Sequence, residues 1–355
     1  MKVAILSDSH FGCRSDSKVF LKHQRKFFEE VFFPELEEQN ISTVLHLGDI
    51  FDRRKYINFN TLNESKDFFF DKLENAGIEM HAILGNHDTF YTTTNDINSV
   101  NLLLSDYDNI FIYQNDPVEL NFDNTKIIMC PWLVKDTYAS AMEKIKKSNA
   151  NILMGHFDIK GFEMMRGVVS SHGIDHKEFN QFESVFSGHY HYPSKYGNIH
   201  YLGTQYEMNW SDHDARHGFY MLDCETRELS YKENPNKIYH KIDYDDSDLT
   251  VDEIASLDTS ILENCFVKLI VKNRENPYLF DLFLDKLNDS GAADVKSVED
   301  SLDLSHAGED VESMLEEAKG TKDIMHSYID SVDTKIDRRE IKTVVDFLYE
   351  EAINL

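Results

Sequence analysis

The sequence reads Met80-His81-Ala82-Ile83-Leu84-Gly85-Asn86-His87-Asp88, an apolar segment that leads directly into a polar turn. The apolar residues predict a buried strand, and the glycine after them predicts a tight turn at the end of that strand. The amide oxygen of Asn86 can ligate a hard cation, and the imidazole of His87 can ligate a metal or donate a proton. Because these are also common turn residues, the stretch alone leaves open a turn without chemistry.

Four other apolar runs end in the same way, with a polar side chain after the predicted strand. A glycine precedes that side chain in three of them, as it does before Asn86. Open α/β sheets bind ligands beyond the carboxyl ends of their strands. Five such ends argue against chance, so we expect these side chains to gather along one edge. The other groups are Asp8 and His10 after residues 2–7, Asp49 after 43–48, His156 after 151–155, and His189 and His191 after 184–188.

Segments with helical spacing alternate with these strands, at residues 18–39, 60–76, 97–104 and 137–148. Strands that alternate with helices predict an α/β fold with a largely parallel sheet. Further strands near residues 199–202 and 218–222 indicate a second sheet packed on the first.

Three consecutive phenylalanines, Phe68, Phe69 and Phe70, lie in the predicted helix 60–76. Successive helical positions point in different directions, so the three rings cannot all face one core. We therefore expect one or two of them to be exposed, as an oligomer contact would require. The alternative is that flanking sheets or loops cover all three.

The composition is typical of a folded globular protein, with 41% hydrophobic and 28% charged residues in a chain of 355. The formal net charge is −28, from 36 basic and 64 acidic residues. Such a charge opposes non-specific binding to nucleic acid, so a phosphate substrate would need bound divalent cations or a basic partner.

Neither a secretory signal nor a membrane span is expected. The apolar run at residues 3–6 is interrupted at once by Ser7 and Asp8, and no stretch approaches the ~20 apolar residues of a membrane span. The four cysteines are far apart and form no CxxC pair, which is typical of reduced thiols in a cytoplasmic protein.

The chain changes character twice, and we predict domain boundaries there. The predicted parts are residues 1–235, 236–300 and 301–355. The first carries all the motifs, and the second predicts a small β-α-β domain without a chemical motif. The third begins as an acidic linker and ends in helices near 321–332 and 337–353.

The last predicted helix has an apolar stripe at positions i, i+3, i+4, i+7 and i+11. A helix beyond a linker has no core of its own, so the stripe predicts either folding back on the body or docking into a partner's groove. The stripe residues are Ile341, Val344, Val345, Leu348 and Ala352.

Two aspartates, one asparagine and four histidines at the strand ends supply ligands for two divalent ions. Oxygen and imidazole ligands without cysteine suit Mn²⁺, Fe²⁺, Zn²⁺ or Mg²⁺. A site that holds Mg²⁺ alone fits this ligand set least well, because so many of the ligands are histidines. In two-metal hydrolases the ions clamp the attacking and leaving oxygens of a displacement at phosphorus. Asp49 lies between the Asp8 and Asn86 strand ends in sequence order, which makes it the natural bridging carboxylate.

The motifs D-x-H, GD-x-x-D, GNHD, GH and GH-x-H together resemble those of the calcineurin-like metallophosphoesterases over residues 1–220. Within that superfamily the chain resembles the SbcD-type DNA repair nucleases, and its length and layout most resemble the recombination nuclease subunits of T4-like phages. The resemblance implies a four-layer α/β/β/α sandwich of two sheets flanked by helices. It also implies a small α+β cap domain that binds DNA, followed by C-terminal helices that dock onto a partner subunit with ATPase activity.

The resemblance also implies a role for each site residue. One metal ion would be held by Asp8, His10, Asp49 and His191, and the other by Asp49, Asn86, His156 and His189. His87 would stabilise the transition state or protonate the leaving oxygen, and Asp88 would orient His87. In archaeal and eukaryotic relatives the position of Asp52 is often a histidine that contributes to exonuclease action. The aspartate here predicts a hydrogen bond to Arg53 or Arg54 instead.

The implied function is Mn²⁺-dependent 3′→5′ exonuclease action on duplex DNA and endonuclease action on single strands, in DNA recombination, repair and replication. The partner would be an SbcC-like coiled-coil ATPase, with a nuclease homodimer in a heterotetramer. One alternative is a stand-alone phosphodiesterase or protein phosphatase, and another is a catalytically silent scaffold. The intact ligand set argues against the scaffold, and the second domain and terminal helix argue against a small-molecule enzyme.

Overall fold

The computed structural model describes residues 1–165 and 168–299, and beyond them residues 326, 329, 338–339 and 341–345. The strands of the described residues are β1 (Lys2–Leu6), β2 (Thr43–His46), β3 (Glu79–Ile83), β4 (Ile110–Tyr113), β5 (Val118–Phe122), β6 (Thr125–Cys130), β7 (Ile152–His156), β8 (Glu163–Met165), β9 (Val168–Val169), β10 (Ser184–Gly188), β11 (Ser194–Tyr196), β12 (Ile199–Tyr201), β13 (Gly218–Asp223), β14 (Leu229–Glu233), β15 (Tyr239–Asp245), β16 (Phe266–Asn273) and β17 (Asp294–Glu299).

The α-helices of the same residues are α1 (Cys13–Asp16), α2 (Lys18–Phe27), α3 (Phe33–Gln39), α4 (Phe59–Ser65), α5 (Asp71–Asn75), α6 (Ser99–Leu104), α7 (Tyr138–Lys147), α8 (Val251–Ser256) and α9 (Pro277–Asn288). The π turn Phe28–Phe32 joins α2 to α3, and the π turn Lys66–Phe70 joins α4 to α5. These two continuous helical segments match the predicted helices 18–39 and 60–76.

Two six-stranded sheets form the body of the described chain. The first has the order β14-β13-β1-β2-β3-β4, in which β1 to β4 are parallel and β13 runs antiparallel beside β1. The second has the order β11-β12-β10-β7-β6-β5, in which the four inner strands are parallel. The predicted α/β fold and its second sheet are therefore confirmed.

Apolar side chains on both faces of the first sheet build two separate cores. On β1, Val3 and Ile5 pack toward the second sheet, whereas Ala4 and Leu6 pack under the helices. This alternation follows from the two-residue period of a strand. A further core lies between the second sheet and α7. The layers are helix, sheet, sheet and helix, so the expected four-layer sandwich is confirmed.

The three phenylalanines Phe68, Phe69 and Phe70 are all 0% exposed, so the expected exposure is wrong. They lie in the π turn between α4 and α5, which changes the phase of the helix. All three rings lie 5.6–5.8 Å from that of Phe11, and further aromatic rings cover them, with Phe69 4.5 Å from Phe28 and Phe70 6.1 Å from Tyr107. The alternative, coverage by the protein's own elements, is confirmed.

Residues 239–299 form a third, wholly parallel sheet in the order β15-β16-β17. Helix α9 connects β16 to β17 and packs Leu279 and Phe283 into a core of this part of the chain. Tyr239 at the start of β15 stacks 4.5 Å from Trp210, so the third sheet begins against the body. The β-α-β arrangement is present, and the exact domain boundary remains a prediction.

Most of the predicted linker and C-terminal helices, residues 300–355, lies outside the described residues. Among those described, Ile329 is buried, residues 341–345 are helical and Val344 is exposed. The last two stripe positions lie outside the described residues, so the choice between folding back and docking stays a prediction. Among the described helices, none is long and apolar enough to cross a membrane.

Candidate metal centre

The five polar strand ends meet at one edge of the sandwich. Strands β1, β2 and β3 of the first sheet supply three of them, and β7 and β10 of the second sheet supply the other two. All are buried except two half-buried histidines on the loop after β10. The predicted residues brought together are Asp8, His10, Asp49, Asn86, His87, Asp88, His156, His189 and His191.

The turns that carry these side chains have unusual backbone conformations. Asp8, His10 and Asp49 have φ values of 54°, 43° and 52°, and His189 has a φ of 90°. Residues other than glycine rarely adopt positive φ, and proteins keep such strain mostly at functional sites. The three turns, after β1, β2 and β10, therefore hold these four side chains in place at a cost in backbone energy.

Two of the glycines before these side chains let the strand ends approach each other closely. Gly48 has a φ of +93°, and a Cβ on it would lie 2.6 Å from the backbone nitrogen of Gly85. A Cβ on Gly188 would collide with the hydroxyl of Ser7 and lie 2.7 Å from a carboxylate oxygen of Asp8. The glycine pattern in the sequence thus reflects space as well as turn geometry.

The first group of candidate ligands is Asp8, His10 and His191, whose ligand atoms lie within 4.8 Å of one another. The Nε2 atoms of His10 and His191 are 3.1 Å apart, and Nε2 of His191 is 3.9 Å from Oδ1 of Asp8. The backbone N–H of His189 donates to the same carboxylate at 3.0 Å, which ties the second sheet to the first.

The second group is Asp49, His156 and His189, again with ligand atoms within 4.8 Å of one another. Oδ1 of Asn86 adjoins this group, 3.0 Å from Nε2 of His156. Oδ2 of Asp49 lies 3.2 Å from that nitrogen and 3.7 Å from Nε2 of His10. One carboxylate oxygen therefore faces both groups.

The hydrogen bonds of His156 show that a cation fits here. Its Nδ1 donates to the carbonyl of Leu47 at 2.8 Å, so the neutral ring has its lone pair on Nε2. That lone pair faces oxygens of Asp49 and Asn86, which are acceptors too. Such a buried arrangement requires a cation among the three atoms, either a proton or a metal ion. Imidazole nitrogen with amide and carboxylate oxygen suits a divalent transition metal.

The electrostatics of the centre favour cations. Burial lowers the pKa of His156, but the charge of Asp49 and its hydrogen bond raise it to about 9. Burial also lowers the pKa of His10, and the carboxylates of Asp52, Asp49 and Asp8 raise it to about 10. Burial raises the pKa of Asp49, yet the histidines around it hold that pKa well below its ordinary value. The carboxylate of Asp49 thus stays ionised and attracts positive charge.

The order and type of these side chains match a known family. Residues 1–193 match the calcineurin-like phosphoesterase family. The chain belongs to this family. It is accordingly a metal-dependent phosphodiester hydrolase, and the family uses a dinuclear site for divalent metal ions.

Two named relatives resemble this phosphoesterase beyond the family region. The chain is 29% identical to exonuclease subunit 1 of Enterobacteria phage T4 over 356 residues, which covers 99% of each chain. It is 23% identical over 312 residues to the SbcD subunit of the SbcCD nuclease from Staphylococcus saprophyticus, covering 79% of this chain and 78% of that protein. Among solved structures, an archaeal phosphodiesterase aligns with a TM-score of 0.34 at 16% identity, over 66% of this chain and 100% of its own.

His87 lies beside the candidate ligands of this phosphoesterase with one ring nitrogen available. Its Nδ1 donates to the carbonyl of Asp52 at 2.6 Å, and its backbone N–H donates to Oδ1 of Asp49 at 2.8 Å. Its Nε2 is buried and has no hydrogen-bond partner among the described residues. The ring meets that of His10 edge-on, with centroids 4.8 Å apart. Nε2 is therefore available to a group that enters the centre.

The carboxylate of Asp88 forms hydrogen bonds with the backbone, whereas the resemblance implied that it orients His87. Its carboxylate accepts hydrogen bonds from the backbone N–H groups of Ile50 at 3.0 Å, Phe51 at 3.2 Å and Gly85 at 2.9 Å. These bonds tie the loop after β2 to the turn after β3. The carboxylate of Asp88 thus holds the backbone of both turns, and the carbonyl of Asp52 accepts the hydrogen bond from the His87 ring.

Asp52 also departs from expectation. The predicted hydrogen bond to Arg53 or Arg54 is wrong, because Oδ1 of Asp52 lies 3.2 Å from Nδ1 of His10. Asp52, His10 and His87 form a third group whose ligand atoms lie within 4.8 Å of one another. The side chain of Asp52 thus points into the centre and lies beside the His10 ring.

Sequence reasoning missed two aromatic residues that pack around the centre. The ring of Trp132, just after β6, lies 5.1 Å from that of His189 and 5.8 Å from that of His156. Its position after a strand that ends at the same edge is the sequence feature that would have identified it. Tyr190 lies between two candidate ligands in sequence, and its hydroxyl donates to Asp158 at 2.6 Å.

We expect Tyr190→Phe to weaken the binding of divalent metal ions about 10-fold or more, as changes to the partners of metal ligands typically do. The lost hydrogen bond ties the loop after β10 to Asp158, which lies two residues beyond His156. The variant keeps the ring, which stacks 4.5 Å from Tyr201, so folding should be preserved. Calorimetric titration with Mn²⁺ measures the effect.

Tyr196→Phe is the matched control, because Tyr196 is 62% exposed on β11. It should bind Mn²⁺ as the wild type does, and both variants should melt near the wild-type temperature. Native metal affinity in Tyr190→Phe would show that the hydroxyl does not position the ligands.

Proposed function

We propose that this phosphoesterase is a DNA nuclease that uses two divalent ions, with Mn²⁺ as the preferred metal. It acts as a 3′→5′ exonuclease on duplex ends and as an endonuclease on single strands. The observation that carries the proposal is the edge of the sandwich at which Oδ2 of Asp49 faces both ligand groups, with the available nitrogen of His87 beside them. The match to a named exonuclease subunit over 99% of both chains supports DNA as the substrate.

Each of the two ions would take four ligands, and the carboxylate of Asp49 would be a ligand of both. One set is Asp8, His10, Asp49 and His191, and the other is Asp49, Asn86, His156 and His189. When bound, the two ions supply Lewis-acid activation of the phosphodiester and of the attacking water. Asp49 suits the shared position because its Oδ2 faces both a first-set and a second-set histidine, at 3.7 Å and 3.2 Å.

His87 is the proposed proton donor of the protein itself. Because its Nδ1 donates to the Asp52 carbonyl, Nε2 carries a proton only when the ring is the imidazolium. In that form Nε2 can protonate the leaving oxygen or stabilise charge that develops on the phosphate.

A partner subunit is the second part of the proposal. An SbcC-like coiled-coil ATPase would join a homodimer of this nuclease in a heterotetramer, in the cytoplasm of the cell, or of the host if the chain is phage-encoded. The net charge of −28 opposes binding to DNA, and a basic partner would offset it. The buried Phe68–Phe70 run no longer supports the homodimer, which now rests on the family resemblance.

A nuclease assay with and without the partner ATPase tests this function. The substrates are linear duplex DNA and circular single-stranded DNA, each with Mn²⁺ or Mg²⁺. We expect nucleotides released from 3′ ends and linearised circles with Mn²⁺, with greater activity when the ATPase is present. Hydrolysis of a small phosphodiester or a phosphopeptide without any cleavage of DNA would instead support the stand-alone phosphodiesterase or phosphatase.

We expect Val344→Asp to weaken binding to the ATPase about 10-fold or more. Val344 belongs to the predicted apolar stripe, lies in the helical residues 341–345 and is 56% exposed. Burial of a valine against a partner contributes about 1.5 kcal/mol or more, and a charge there adds a desolvation cost. Pull-down against the ATPase at graded concentrations measures the loss.

The neighbouring Thr343→Asp is the control, because Thr343 is also exposed and lies off the stripe. It should bind the ATPase normally. Equal binding by both variants would place the docking site elsewhere, whereas a lower melting temperature in Val344→Asp alone would mean that the helix folds back on the body.

A further inference from the structure

Three consecutive cations and a tyrosine follow Asp52 directly, in the run Arg53-Arg54-Lys55-Tyr56. They begin the segment of residues 53–59, which leads into α4. In a chain with 64 acidic and 36 basic residues, such a run is a local reversal of charge. It adjoins the metal centre, because the carbonyl of Asp52 accepts the hydrogen bond from His87 at 2.6 Å.

The three cations form no ion pair with a carboxylate within residues 1–165 and 168–299. The lysines of helix α7 differ in this respect. On α7, Lys144 pairs with Asp116 at 2.8 Å and Lys146 pairs with Glu178 at 2.7 Å. Lys147 there pairs with its neighbour one turn away at 2.5 Å. Within the part of the chain that the structure describes, these three cations are therefore not held in ion pairs, and Asp49 of the metal centre acts on Arg54 only through its charge.

Two aromatic side chains of the same segment are exposed to solvent. Tyr56 is 59% exposed and Phe59 is 87% exposed. The guanidinium of Arg53 lies 5.1 Å from the centre of the Tyr56 ring and donates to its hydroxyl. Arg53 also donates to the hydroxyl of Ser15 at 3.1 Å, which holds the pair beside α1. The outer face of the tyrosine is thus presented in a defined orientation.

We propose that the 53–59 segment binds an unpaired strand of nucleic acid next to the phosphodiester that is cleaved. Tyr56 stacks on a base, and Arg54 and Lys55 contact neighbouring phosphates. This proposal rests on the proposed nuclease function and names the form of its substrate. Exposed aromatics combined with cations along a groove are the usual means of binding single strands without sequence preference.

The acidity of the chain explains why stacking should matter here. A strongly negative protein repels the phosphate backbone, so the electrostatic attraction that supplies most non-specific affinity is weak. Base stacking is unaffected by that repulsion, and it requires a base whose face is not covered by its neighbours in a duplex. A single strand or a frayed end meets this requirement, and an intact duplex does not.

Cleavage of a single-stranded oligonucleotide of about 16 nucleotides at low salt with Mn²⁺ tests the proposal. Tyr56→Ala should raise KM about 5- to 150-fold, the loss expected from one stacked base, with a smaller change in kcat. Tyr56→Trp should restore KM because it restores a stacking face. Arg54→Gln should lower the slope of log KM against log salt by about 0.7, the value for one phosphate contact on a single strand.

Two exposed residues distant in sequence serve as matched controls. Tyr196→Ala removes an exposed tyrosine and Lys147→Gln removes an exposed lysine, and both should leave KM for the oligonucleotide unchanged. A native KM in Tyr56→Ala, with the oligonucleotide still cleaved by the wild type, would overturn the role of the segment and leave the nuclease function intact.

A different result would contradict the proposed nuclease function itself. A wild type that hydrolyses bis(p-nitrophenyl) phosphate but cleaves no oligonucleotide would overturn the nuclease function and the bound strand together. If Tyr56→Ala then raised KM for a phosphopeptide, the segment would bind peptide, which also contradicts the proposal.

Discussion

Asp49→Ala is expected to abolish or greatly weaken the binding of both metal ions. Oδ2 of Asp49 faces a histidine of each ligand group, at 3.2 Å and 3.7 Å, so a single substitution removes a ligand from both positions. The carboxylate also offsets the repulsion between two dications, and that repulsion would remain unopposed. Calorimetric titration with Mn²⁺ should show two ions bound by the wild type and none with comparable affinity in the variant.

His191→Ala is the informative comparison for Asp49→Ala. His191 belongs to the first ligand group, with Nε2 at 3.1 Å from that of His10, so its loss should affect mainly one ion. Asp49→Asn keeps the size of the side chain and should behave more like Asp49→Ala than like His191→Ala, because it lacks the charge. Two ions bound by Asp49→Ala at near-native affinity would exclude the bridging role.

His87→Ala is expected to keep both metal ions and to lose phosphodiester cleavage about 10²- to 10⁴-fold, the usual contribution of a general acid. The nitrogen that would donate the proton, Nε2, has no partner among the described residues, and Nδ1 is committed to a backbone carbonyl. Removal of the ring therefore removes a group aimed at the substrate and leaves the ligands in place. Metal analysis of the purified variant together with hydrolysis of a small phosphodiester tests both parts.

His81→Ala provides the control for His87→Ala. His81 lies on β3 six positions earlier, where its ring stacks 4.9 Å from that of Phe111. This variant should retain metal and cleavage alike. If His87→Ala lost a metal ion, His87 would be a ligand and its assignment as proton donor would be wrong.

The strand ends and their side chains could be predicted because they depend on local features. An apolar run of strand length, a glycine and then a polar residue define where each strand stops, and parallel strands bring such ends together. The pattern therefore placed Asp8, Asp49 and His156 at one edge, where the structure has them. This prediction did not depend on the side-chain conformations of these residues.

The errors share a different physical origin. Asp52 lies in a tight turn, where a small change in φ or ψ redirects a side chain, and spacing in sequence carries no information on that direction. Phe69 and its neighbours were misjudged because a π turn shifts the phase of the helix, and residue types alone did not reveal it. Tyr190 carries no ligand atom of its own, so a search for metal ligands passed over it.

The order of strands in the first sheet has a consequence for the time at which activity arises during synthesis. Strand β1, made first, pairs on one side with β13 at residues 218–223, and its ligands Asp8 and His10 await His191 from the second sheet. At ribosomal speeds, roughly ten seconds or more separate these events. We therefore expect no phosphodiester cleavage by a nascent chain until residue 191 has been added, and a ribosome that stops before that point should release an inactive product.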